Sequence, residues 1–264
     1  MLEHSFIHIP GIGPQTERAL WSAGCKTWTD ALDGLSDVSF GSADRGLVRD
    51  ALQRSIAALE DREHQYFART LPSGDAWRAL PAFQDRTVYL DIETDGGNGP
   101  GAITCVGLYD GEDFRCLVRG HDLYELPDRL SHFGMTVTFF GLSFDLPMIQ
   151  KSWKHLVMDQ IHLDLCPTLK KLNIMGGLKK IERQLGLARD DATDGLTGRD
   201  AIRLWRMYER GGRADALETL IAYNREDVVN LKFLAEYAYG RLRRSTFGEL
   251  DPAYVAETDA VPAT

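Results

Sequence analysis

Cysteine is scarce and scattered. Cys25, Cys105, Cys116 and Cys166 are the four in 264 residues, and no two form a CxxC pair. The pattern fits neither a zinc site nor a disulfide framework, and it predicts reduced thiols in a cytoplasmic protein. Long apolar runs are missing as well: none approaches the roughly 20 residues that cross a bilayer, so no membrane partner is expected. The first residues carry Glu3, His4 and His8 where a secretory signal has a basic start and an apolar core. Positive charge is also short, with 30 Lys and Arg against 39 Asp and Glu, a net charge of −9. No global field draws nucleic acid, so such a partner has to be held by local basic patches or by metal ions. Internal repeats, low-complexity tracts and the need for an organic cofactor are not evident. What remains is a composition ordinary for a globular protein, 44% apolar and 26% charged, in a length that suits one large domain or one domain plus a small one.

One stretch organises the rest: Val88-Tyr89-Leu90-Asp91-Ile92-Glu93-Thr94-Asp95-Gly96, followed by a glycine-rich turn through Gly101. On a strand the side-chain period is two, so Asp91 and Glu93 point to the same side. Two carboxylates on one face repel each other unless a cation lies between them. Hard divalent cations such as magnesium and manganese prefer oxygen ligands of this kind. An ordinary strand end with solvated acids is the plain alternative. A calcium loop is excluded because its twelfth place is Ala102, where a bidentate Glu is required.

Residues 1–84 read as a small all-α domain. Ile9-Pro10-Gly11-Ile12-Gly13-Pro14 predicts a tight turn feeding a helix to Ala23, with Pro14 in its first turn. Thr27 is placed to cap a second helix from Trp28 to Leu32. The glycine turn resembles the hairpin of helix-hairpin-helix DNA-binding motifs, though too few residues precede Ile9 for a full first helix. By that resemblance Gly11 and Gly13 are candidates to hold a backbone phosphate; a purely structural hairpin is the alternative. Residues 43–69 carry Leu47, Val48, Leu52, Ile56, Leu59, Tyr66 and Phe67 at mostly helical spacing and predict one amphipathic helix.

From residue 85 the pattern changes, and a second domain is expected over 85–245. Strands are predicted at 87–92, 101–109, 113–118, 135–140 and 160–164, the first three as a meander joined by Gly-rich turns. A helix with Pro127 as an irregularity is predicted over 123–133. Asp145 is placed to cap another helix, with Pro147 in its first turn. Helices then follow at 165–172, 177–186, 198–210 and 213–238, and residues 246–264 read as a tail.

The last long helix carries Tyr223-Asn224-Arg225-Glu226-Asp227, in which Tyr223 and Asp227 share a face. Leu90-Asp91-Ile92-Glu93-Thr94, Phe144-Asp145-Leu146-Pro147 and this helix segment, in that order, resemble the three motifs of DEDD-type 3′–5′ exonucleases of the ribonuclease H-like superfamily, in the variant with a tyrosine in the last motif. Gly176-Gly177-Leu178-Lys179-Lys180-Ile181-Glu182 is similar to a segment of the predicted bacterial and archaeal exonucleases of that group. The resemblance covers residues 86–240 and implies an α/β fold, a ribonuclease H-like mixed sheet flanked by helices. It implies Asp91, Glu93, Asp145 and Asp227 as ligands of two divalent cations, Mg2+ or Mn2+, Tyr223 as the group orienting the attacking water, and Thr94 and Phe144 beside the terminal nucleotide. Two cations about 3.5–4 Å apart can both activate a water and stabilise a departing alkoxide.

One residue departs from the pattern: relatives usually carry Asn where this chain has Phe140, which bears on substrate positioning but not on metal binding. Lys179 and Lys180, after Gly176-Gly177, could grip phosphate or simply line a solvated helix face. The expected activity is a 3′–5′ exonuclease on nucleic-acid ends, single-stranded DNA favoured by the hairpin and RNA open. The alternatives are a non-catalytic nucleic-acid-binding module and a structure-specific endonuclease.

Overall fold

A computed structural model describes residues 1–248. The chain separates into two compact units. One comprises residues 1–84 and 159–161 with the described residues from Tyr237 onward; the other comprises residues 85–158 and 162–236.

The first unit holds α1 (Pro14–Ser22), α2 (Trp28–Asp33), α3 (Arg45–Glu60) and α4 (His64–Thr70), then a 3-10 stretch Ser73–Arg86. Gly11 turns at φ +87° and Pro14 opens α1. At α2, Thr27 accepts the Asp30 N–H at 3.1 Å while the Asp30 carboxylate accepts the Thr27 N–H at 2.8 Å, a reciprocal cap. The single helix expected over 43–69 is two helices. The chain turns at Arg62, with φ +56°, and Leu47 is left 66% exposed. The break lets Phe67 stack on Trp28, ring centres 6.1 Å apart, and meet Phe83 at 5.9 Å. Uninterrupted periodicity in the sequence hides such a turn because both helices have an apolar face.

The second unit is built on a five-stranded mixed sheet in the order β3-β2-β1-β4-β5. The strands are β1 (Thr87–Thr94), β2 (Ile103–Tyr109), β3 (Phe114–Val118), β4 (Met135–Thr138) and β5 (Ile161–Asp164). The first three form the antiparallel meander, and β4 pairs parallel to β1. β4 stops two residues short of the stretch expected from its apolar run, because the chain turns at Phe140 with φ +67°. Pro127 sits in the first turn of α5 (Leu126–Ser131), where its missing N–H leaves nothing unpaired; it begins that helix and does not distort it.

The two faces of β1 determine where the site falls. Val88, Leu90 and Ile92 pack with Leu126 and Leu130 of α5 and with Met148 and Ile149 of α6 (Asp145–Ser152). The alternate residues, Asp91 and Glu93, therefore face the other layer. After β5 come α7 (Leu165–Lys170), α8 (Leu178–Gln184), α9 (Gly198–Gly211) and α10 (Ala214–Thr246), of which α9 and α10 pack on that side of the sheet. There Trp205 and Leu220 pack with Tyr223 and with Cys105 of β2, the residue paired with Glu93. Gly107, paired with Asp91, lets α10 approach closely: a Cβ there would fall 2.1 Å from Asn224 Oδ1. α10 continues past the expected end at 238 to Thr246, and Phe247 is buried, so the predicted tail does not start at 246. Residues 249–264 of that tail lie outside the described residues.

Candidate active site

Strand β1 and helix α10 bring three carboxylates together. Asp91, Glu93 and Asp227 each offer an oxygen, and all three oxygens lie within 4.8 Å of one another. Glu93 and Asp227 are buried and Asp91 is half-buried. Asp145 does not join this group. It is the first residue of α6, its helix has no side-chain cap, and its Oδ1 accepts the Ile92 N–H of β1 at 3.1 Å. The expected capping role is corrected accordingly: the carboxylate ties α6 to the sheet beside the triad.

The electrostatics follow from this crowding. Burial, then the charges of Asp145, Asp227 and Glu93, hold Asp91 well above the usual carboxylate range. Burial and the charges of Asp227 and Asp145 push Glu93 up to about 8. Burial raises Asp145 to about 7, opposed by the Ile92 N–H. Asp227 is raised by burial too, but Arg189 opposes the shift. Four acids held in this way favour protons or cations over free charge.

The sign of the pH dependence is then fixed. A carboxyl whose folded-state pKa lies above its unfolded value makes folding less favourable as pH rises between the two. For Asp145 and Glu93 that window runs from about 4 to about 8. Divalent ions should offset the penalty where the acids would otherwise be charged. The unfolding temperature in Mn2+ minus that in EDTA should therefore widen steadily from pH 5 to pH 8. A difference that stays flat would contradict this account.

A cleft of about 370 Å³ opens on two of the three acids. Asp91, Asp227 and Tyr223 line it together with Phe139, Lys179 and Lys180. Tyr223 is buried, one turn before Asp227, and the Lys179 ammonium lies 4.2 Å from the centre of its ring. Lys179 also donates to the Leu196 carbonyl, while Lys180 is exposed. Burial and the neighbouring acids raise the Tyr223 phenol, which keeps it protonated and able to donate. Thr94 is buried at the end of β1, and Phe144 is 43% exposed immediately before Asp145. Gly11 and Gly13 are exposed and belong to the other compact unit.

Several supporting residues had no role assigned from sequence. Asn224 donates through Nδ2 to Asp91 Oδ2 at 3.0 Å and so orients that carboxylate. Arg189, in the loop between α8 and α9, donates to Glu182 Oε2 and Oε1 at 2.7 Å each and also to Asp227. Asn230 completes the group with a 2.9 Å bond to Glu182. Asn224 was within reach of sequence reasoning, since it adjoins Tyr223 in the last motif. Arg189 carries no local signal, because its partners lie 7 and 38 positions away.

The donor set suits a hard divalent cation: three converging carboxylate oxygens, with no thiolate or imidazole in the group. The RNase H superfamily model matches residues 88–239, more than half of the chain, and the chain belongs to that superfamily. This membership points to a nuclease-type activity on a nucleic-acid substrate. No curated protein and no solved structure gives a significant match. Among the described residues no helix is long and apolar enough to cross a membrane.

Proposed function

We propose that this protein is a metal-dependent 3′–5′ exonuclease that hydrolyses phosphodiester bonds at nucleic-acid ends, with single-stranded DNA as the favoured substrate. The observation that carries the proposal is the convergence of Asp91, Glu93 and Asp227, two of which, Asp91 and Asp227, line a cleft together with Tyr223. A binding scaffold gains nothing from burying acids that repel one another, whereas a hydrolase needs them to hold cations.

In this reading Asp91, Glu93 and Asp227 hold the ions, and Asp145, one residue from the exposed Phe144, completes the set through water or a small movement. Bound divalent ions supply a Lewis acid and a water of lowered pKa. Asn224 keeps one Asp91 oxygen fixed, so the other is left for the metal. Tyr223 donates its hydroxyl proton in a hydrogen bond that orients the attacking water, and it stays protonated throughout. Lys179 and Lys180, which line the same cleft, balance the phosphate charge. We read residues 1–84 as a helical domain whose Gly11–Gly13 turn offers exposed N–H groups as a second backbone contact.

The direct test uses 5′-labelled and 3′-labelled DNA and RNA oligonucleotides in Mg2+ or Mn2+. A 5′ label should give a descending ladder, a 3′ label should be released as mononucleotide, and circular single-stranded DNA should survive. Cleavage of the circle would turn the assignment to an endonuclease. Retention of oligonucleotides without hydrolysis in any divalent ion would turn it to a binding module. Tyr223→Phe should lower turnover by about 10²-fold, the range for loss of a group that positions or transfers a proton. It should leave Mn2+ binding, measured by titration calorimetry, unchanged.

A further inference from the structure

The turn between β4 and α6, residues 139–144, shows apolar surface that contributes nothing to the core. Phe140 and Leu142 are each 54% exposed. Phe140 stands at φ +67°, a left-handed conformation that glycine or asparagine adopts far more easily than a bulky side chain. The turn is held in that shape from below. The Asp164 carboxylate accepts the Phe140 N–H at 2.8 Å and the Leu142 N–H at 3.1 Å, and Asp164 is itself buried. Gly141 sits so close to Thr138 that a Cβ would fall 2.1 Å from its hydroxyl oxygen. Thr138 is fixed in turn by a 2.9 Å hydrogen bond to His162. A rigid, strained turn that presents an aromatic ring to water suggests use of the ring, since strain held in place by its surroundings clusters where ligands bind.

The place of the turn in the chain, next to a residue of the cleft, bears on the ligand. Phe139, the preceding residue, lines the cleft together with Asp91, Asp227, Lys179 and Lys180, so the turn that exposes Phe140 adjoins that cleft along the chain. A nucleotide chain alternates charged phosphate with flat apolar bases, and a charged cleft adjoined by a turn with an exposed aromatic ring matches that alternation. We propose that Phe140 is a stacking surface for an unpaired nucleobase of the substrate, which restricts the site to single-stranded ends. In a duplex both faces of an internal base are already covered, so only an unpaired base can offer one to the ring. This rests on the hydrolase reading above and specifies the substrate class for the same site.

The test exploits opposite effects on folding and binding. Asparagine tolerates positive φ, so Phe140→Asn should unfold at the wild-type temperature or above it. The same variant should bind a single-stranded DNA oligonucleotide about 5- to 100-fold more weakly, measured by fluorescence anisotropy in calcium, as expected for loss of one base stack. Phe140→Trp should keep the affinity. An oligonucleotide with abasic residues at its 3′ end should bind wild type and Phe140→Asn equally, and with intact substrate the loss should fall on KM more than on kcat. Equal binding of intact oligonucleotide by wild type and Phe140→Asn, or no binding by either, overturns the proposal. If wild type hydrolyses nothing yet the anisotropy contrast persists, the stacking surface stands and the hydrolase reading falls. If hydrolysis is seen without the contrast, the stacking surface alone falls.

Discussion

Asp91→Asn should reduce single-turnover hydrolysis by at least about 10³-fold, equivalent to about 4 kcal/mol of transition-state stabilisation, and should raise the stability of the metal-free protein. Both effects have one cause. Asp91 is the acid most surrounded by others: burial and three neighbouring carboxylates all disfavour its charge. A metal converts that penalty into affinity, so removing the charge removes a ligand the other acids cannot replace. Without metal the same change relieves repulsion within the cluster. The shape of the site is retained, because the amide is nearly isosteric and can still accept the Asn224 N–H. The expected result is a protein that melts higher than wild type in EDTA, lower than wild type in saturating Mn2+, and barely turns over. Rates within tenfold of wild type would remove Asp91 from the chemistry. A lower melting temperature in EDTA would mean that the carboxylate is held by compensation absent from its surroundings as described.

The parts of this site that follow a local period were legible in the sequence. Asp91 and Glu93 share a face because a strand alternates, and Tyr223 and Asp227 because a helix repeats near four. The meander and the cap at Thr27 follow from equally local chemistry. Features that depend on the chain meeting itself were not legible. Arg189 lies in an aperiodic loop and gains its role only when that loop reaches α10. Asp164 reads as the end of a strand, yet its carboxylate shapes the turn that carries Phe140. Asp145 reads as a helix cap, but in the fold a β1 N–H lies within reach of its carboxylate. In each case the residue type was visible and its partner was not.

Arg189→Met should cost about 3–5 kcal/mol of stability in EDTA, measured by urea denaturation, because it leaves buried carboxylates without their counter-charge. The side chains of Arg189 and Glu182 are 4% and 1% exposed, and Arg189 is ion-paired to both Glu182 and Asp227. Water cannot replace the guanidinium at that depth without opening the contact between the α8–α9 loop and α10. Arg189→Lys should rescue little, since one ammonium cannot reproduce the two parallel bonds to Glu182 and reach Asp227 as well. Mn2+ should recover only part of the Arg189→Met loss: a cation at the triad compensates Asp227 but leaves Glu182, still bonded to Asn230, without a counter-charge from Arg189. The double variant Arg189→Met with Glu182→Leu separates charge burial from packing. Replacing a buried ion pair by apolar groups of similar size is often close to neutral, so the double variant should regain much of the lost stability. Asp227 would then lack its anchor in a protein that folds, and the Mn2+ affinity of that variant would measure how far Arg189 holds the carboxylate in place for the metal. A single-variant loss below about 1 kcal/mol would mean that the pair is hydrated like a surface bridge and does not hold the helix that carries Tyr223 and Asp227.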